Sequence, residues 1–146
     1  MQIAMRMDAA IPLDCDETHW PLAILVAEAA MNVEDIRSGF DRVENWLSHG
    51  KPFALLLIVA CNPVFLWEAT MLHMAAQRIV AAREALHQSL LGIAIVAPTK
   101  INDAARQSLA RLPLDMPLEI FERSPRAVEW LRQTILAPAG LAVDSL

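Results

Sequence analysis

The sequence predicts one α/β domain built on a mostly parallel β-sheet. Three observations carry that prediction. Short apolar runs of strand length alternate with stretches whose apolar residues recur at helical spacing. The run Phe53 to Ala60 is apolar without interruption, as expected of a strand buried on both faces. The chain has 146 residues and is 55% hydrophobic, which suits a single domain with a sizeable core and excludes a disordered chain.

Taken in order, Gln2 to Asp8 alternates, with Ile3, Met5 and Met7 on one face, and reads as an antiparallel edge strand. Ile11 to Trp20 reads as a polar connection carrying Pro12, Asp14, Asp16 and Glu17. Leu22 to Ala27 is the second strand. Asn32 is a good N-cap, and Asp35 three residues on resembles a capping box. The helix that follows carries Val33, Ile36, Phe40, Val43 and Leu47 on one stripe, with Arg37, Asp41, Arg42 and Glu44 off it. Gly50 is the expected stop.

After the strand Phe53 to Ala60, the chain breaks at Cys61-Asn62-Pro63. The longest helix is then predicted over Phe65 to Ser89. It is apolar almost all round, and its alanines Ala69, Ala75, Ala76, Ala81, Ala82 and Ala85 allow close approach of neighbours. Leu91 to Ala97 is a strand ended by Pro98. Thr99 or Asn102 opens a helix to about Leu112, closed by Pro113. Leu118 to Glu122 is a short strand. Ser124 as N-cap with Pro125 at the first helical position opens the last helix, with Val128, Leu131 and Ile135 on one face and Pro138 as its end. The order is β-β-α-β-α-β-α-β-α, with an antiparallel first strand and four helices largely covering one face. Residues 1–138 form the expected domain and 139–146 a loose tail.

Bulk properties narrow the function classes. The formal net charge is −5 and the pI is about 5.3, with lysine only at Lys51 and Lys100. That argues against a nucleic-acid footprint, which needs clustered basic residues. Cys15 and Cys61 form no C-x-x-C pattern, so zinc and thioredoxin chemistry have no support, and neither metal nor cofactor is expected. The start MQIAMRMDAA lacks the apolar region of a signal peptide, and the apolar runs are too short to span a bilayer. The expectation is a cytoplasmic protein without a transmembrane segment.

Three stretches resemble the STAS family, the sulfate-transporter and anti-sigma-factor antagonist domains with their lipid-binding relatives. Glu34-Asp35-Ile36 through Gly50-Lys51-Pro52-Phe53 resembles the first helix and the turn into the central strand. Leu91-Gly92-Ile93-Ala94-Ile95-Val96 resembles the next strand. Ile120 to Leu131, IFERSPRAVEWL, resembles the closing strand and helix. The resemblance implies a regulatory or protein-interaction module. In the antagonists the central strand is followed by a loop whose Ser a partner kinase phosphorylates. Here that place reads Phe65-Leu66-Trp67-Glu68-Ala69-Thr70, and its one hydroxyl, Thr70, falls inside a helix. A phosphorylation switch is therefore not expected.

Ligands of open α/β sheets gather at the carboxyl ends of the strands. This directs attention to Cys61, Asn62, Phe65, Trp67, Glu68, Met71 and Met74 as a ligand or partner surface. Aromatic and methionine side chains there suit an apolar ligand or a subunit contact. Glu68 is its one acid, which beside a pocket would be raised in pKa and otherwise stabilises a helix N-terminus. Cys61 could act as a thiolate at the following helix, but apolar flanks favour a plain core cysteine. His49 and His73 lack partners at spacings that would orient a general base. Asp14, Cys15, Asp16, Glu17 and His19 gather ligand-type side chains with no second cluster to complete a metal site. No catalytic residue is assigned. The expected function is a non-enzymatic regulatory or interaction module whose partner is a protein or a second copy of the chain, making a dimer. The alternative is a small carrier of an apolar ligand, a lipid or fatty acid, near Phe65 to Met74.

Overall fold

The computed structural model describes residues 13–27, 33–59, 69–99, 103, 106–107 and 109–142. Strands β1 (Leu13–Asp16), β2 (Leu22–Ala27), β3 (Phe53–Val59), β4 (Leu90–Val96) and β5 (Leu118–Phe121) form one five-stranded sheet in the order β1-β2-β3-β4-β5. β1 runs antiparallel to β2, and the other neighbours are parallel. The predicted class, a mostly parallel α/β sheet with one antiparallel edge pair and four helices, is the observed one. β2 spans the predicted residues, β3 starts where predicted, β4 is shifted back by one residue at both ends, and β5 ends one residue early.

The edge strand is a correction. The antiparallel partner of β2 is Leu13–Asp16, inside the segment read as a polar connection. Asp is a poor strand former, so propensity argued against it. Its place at the sheet edge tolerates the acids, while Cys15 packs against the core. The predicted strand Gln2 to Asp8 lies outside the described residues.

The crossovers are helical. α1 (Val33–Leu47) joins β2 to β3 and ends in a turn in which Gly50 adopts φ +68°, a conformation that favours glycine. The predicted long helix is two in the described part: α2 (Ala69–Ala81) and α3 (Arg83–Ser89). Ala82 between them leaves helical geometry at φ −102° and ψ 13°, although its N–H still donates to Arg78 O at 3.1 Å. α3 runs directly into β4, with Ser89 its last residue and Leu90 the first of the strand. Residues 65–68 lie outside the described range. Residues 99, 103, 106, 107 and 109 are helical and belong to the third crossover.

After β5, α4 (Ser124–Trp130) opens with Arg123, not Ser124, at the N-cap position. Arg123 is extended and makes no side-chain cap bond, and Ser124 and Pro125 are the first helical residues. The helix continues as a π-helical turn over Leu131–Leu136 and a 3-10 turn over Ala137–Ala139, then stops at Gly140 with φ +78°. Leu141 N–H donates to Leu136 O at 3.0 Å, and Leu141 packs on the core beyond it.

Strand alternation sorts the core onto two faces. On the first, Ala23, Leu25, Leu55, Ile93, Ile95 and Ile120 meet Trp46 and Leu47 of α1, Ile79 of α2, Leu86 of α3 and Leu109. On the second, Leu22, Ala54, Leu56, Ala94 and Val96 meet Ala127, Leu131, Ile135 and Leu136. Sequential parallel strands with right-handed crossovers place every connecting helix on one side, which leaves α4 to cover the other. The π-helical spacing turns Leu131, Ile135 and Leu136 onto the sheet together. Gly92 admits this approach: a Cβ there would sit 2.8 Å from Ile135 Cδ1 and 2.9 Å from Cγ1. At the amino ends of the strands, Trp20 stacks on Phe53 at 5.1 Å and Trp46 meets Phe53 edge-on at 6.1 Å, closing that end of the first core.

Candidate functional site: an apolar cleft under three helices

The first face is not filled. Between the sheet and its helices lies a cleft of about 200 Å³. Its floor is Leu25 of β2, Leu55, Leu57 and Val59 of β3, and Ile93 and Ile95 of β4. α1 contributes Phe40, Val43 and Leu47, while Leu72 and Ile79 of α2 and Leu86 of α3 form the roof. Leu109, Leu112, Leu114 and Leu118 close the side toward β5. Gly39, Ala75 and Ala82 also line it and bring little volume to the places where the helices meet. Protein interiors normally close-pack, so an apolar space of this size stands out. It exceeds the roughly 150 Å³ at which an apolar cavity stays dry and takes up benzene. It falls short of the roughly 300 Å³ at which drug-sized sites begin.

Two polar side chains reach the lining, Glu44 of α1 and Arg78 of α2. Arg78 bridges the two helices. Its Nε donates to Glu44 Oε2 at 3.0 Å and its Nη2 to Asp41 Oδ1 at 2.8 Å, and Nη2 also lies 2.8 Å from Glu44 Oε2. Its Cζ stands 5.5 Å from the centre of the Phe40 ring. The bonds to Asp41 and then Glu44 push the guanidinium pKa above its already high ordinary value. A second pair, Arg83 Nε to Asp115 Oδ2 at 3.5 Å, follows directly on the lining residues Ala82 and Leu114.

Of the residues predicted as a site, Cys61, Asn62, Phe65, Trp67 and Glu68 lie outside the described residues. Met71 falls in α2, as does Met74, which is half-buried and does not line the cleft. His73 is exposed on α2. His49 is exposed after α1, its ring 6.2 Å from that of Trp20. In the acidic segment, Asp16 Oδ1 accepts from Thr18 N–H at 2.8 Å and from the Thr18 hydroxyl at 2.6 Å, a turn-closing arrangement. These bonds, the hydroxyl's first, hold the Asp16 carboxyl below its usual pKa. His19 Nε2 stands 4.0 Å from Asp16 Oδ2. Among the described residues no group of three His, Cys, Asp or Glu side chains could hold a metal ion.

The cleft residues read from sequence as ordinary stripes: Phe40, Val43 and Leu47 on one helix, Leu72, Ile79 and Leu86 on the next. Nothing in that spacing announces a space between them. The small residues Ala75 and Ala82 were the available signal.

No family model, no curated protein and no solved structure matches this chain. Among the described residues no helix is long and apolar enough to cross a membrane.

Proposed function

We propose that this protein is a non-enzymatic binder of a small apolar molecule, held between the sheet and the helices of its first face. The observation that carries the reading is the cleft of about 200 Å³ in which, among the described residues, Glu44 and Arg78 are the only polar lining and are bonded to each other. Among the described residues the lining holds no nucleophile. An apolar ligand gains by leaving water for such a lining and by filling space the protein leaves empty. This is the carrier alternative that the sequence raised. The described lining meets the predicted stretch at Leu72 and extends it beneath α1 and α3. The resemblance to STAS domains, which have lipid-binding relatives, agrees with a ligand of this kind. For a protein-interaction surface, the described residues offer one exposed large apolar side chain, Val80 at 57%, and single exposures are ordinary.

Calorimetric titration with octan-1-ol tests the reading. The protein should bind it. Ala75→Leu, which adds volume inside the cleft, should weaken binding at least tenfold while leaving thermal unfolding unchanged or raised. A protein that does not bind octan-1-ol would sink the proposal.

A further inference from the structure

The charges at the cleft narrow the chemistry of its occupant. Resting on the reading of the cleft as a binding site, we infer that it selects an uncharged apolar ligand over a carboxylate of the same chain length.

Among the described residues Arg78 is the one cation of the lining, and its Nε and Nη2 are already engaged. Asp41 and Glu44 take its Nε and Nη2 hydrogen bonds at 2.8 to 3.0 Å, and Phe40 takes the face of the guanidinium. The set carries two negative charges against one positive. A fatty acid with its tail in the cleft would bring its carboxylate to this set. It would meet two like charges beside a single positive one, so the net charge of the set repels it. The second basic residue beside the lining, Arg83, is likewise paired with Asp115. Each cation beside the cleft therefore comes with an acid that competes with an incoming carboxylate. A hydroxyl, an ester or a bare hydrocarbon end carries no such penalty. A hydroxyl end can also donate to the exposed carboxylates without breaking the bridge between α1 and α2. The ligand class is therefore a neutral, largely hydrocarbon molecule, and the fatty acid suggested by sequence is the disfavoured form.

The test pairs octan-1-ol with octanoate at neutral pH and low salt, measured by calorimetry on the full chain. Methyl NMR of Ile79, Ile93 and Ile95 reports where each ligand sits. Octan-1-ol should bind at least tenfold more tightly and shift those methyls. Octanoate binding as tightly or more tightly, with the same methyls shifted, overturns this inference and leaves the cleft reading standing. Failure of both ligands removes the cleft reading itself. The double variant Asp41→Asn/Glu44→Gln isolates the cause, since both side chains are exposed and the change preserves their size. The affinity of octanoate relative to octan-1-ol should rise at least tenfold there. An unchanged ratio would show that these charges do not select, and would overturn the inference.

Discussion

The two faces of the sheet are packed by the same strands to different ends. The second face is closed by one continuous segment, α4 and its π-helical turn, whose Ile135 approaches Gly92 closer than any side chain there would allow. The first face is covered by three separate crossovers that meet over the strands, and it keeps a cleft of about 200 Å³ at their meeting point. A single helix can settle onto a sheet until contact is complete. Several helices tied to different strand ends compromise, and small residues such as Gly39, Ala75 and Ala82 sit where the compromise leaves room. The second face therefore holds stability, and the first holds the space that a ligand could use.

The sharpest way to break this contrast is to truncate one leucine on each face. Leu131 is fully buried on the second face, so Leu131→Ala should cost about 4 kcal/mol in urea unfolding. Leu57 already borders the cleft and is half-buried, so Leu57→Ala should cost about 2 kcal/mol, because part of its surroundings is empty before the change. Equal costs would dissolve the contrast. Next in size, Gly92→Ala drives a methyl into Ile135 and should lose about 2 kcal/mol. Adding Ile135→Val should return part of that loss, and a double-mutant cycle would show the coupling. On the first face, Arg78→Met removes the bridge from α2 to Asp41 and Glu44 at a cost of about 1 kcal/mol, and less at high salt.

The smallest effect is one of pH at the sheet edge. Asp16 has a lowered pKa in the folded chain because Thr18 donates to it twice. A depressed carboxyl stabilises the fold above its unfolded pKa of about 4 and loses that contribution as pH falls through the folded value. Thr18→Val should therefore lower the unfolding midpoint slightly at pH 7, and the difference should vanish near pH 2. A difference that persists there would assign the loss to something other than the charged carboxylate.

Most of the fold was legible because burial on both faces writes itself as unbroken apolar runs. Leu22 to Ala27 and Phe53 onward need no other explanation. Leu13–Asp16 was missed because an edge strand can afford acids, and its two aspartates erase the pattern of Leu13 and Cys15. The break at Ala82 carries no Gly or Pro to mark it. Arg123 took the N-cap position that Ser124 suggested, since Pro125 is equally at ease one residue further in. The cleft escaped for a different reason. Periodicity shows which way Phe40, Val43, Ile79 and Leu86 point, but not whether opposing side chains touch. That depends on where each helix is anchored, and anchoring is a property of the whole sheet.

The strand order has a consequence for how the chain assembles. Every described strand pairs with its neighbour in sequence, so β2, β3, β4 and β5 can add one after another, each once its crossover has closed. The second face gains nothing from this. Leu22, Ala54, Leu56, Ala94 and Val96 stay uncovered until residues 124–136 leave the ribosome. A nascent chain paused before that point would present a finished sheet with one greasy side, the species most in need of a chaperone.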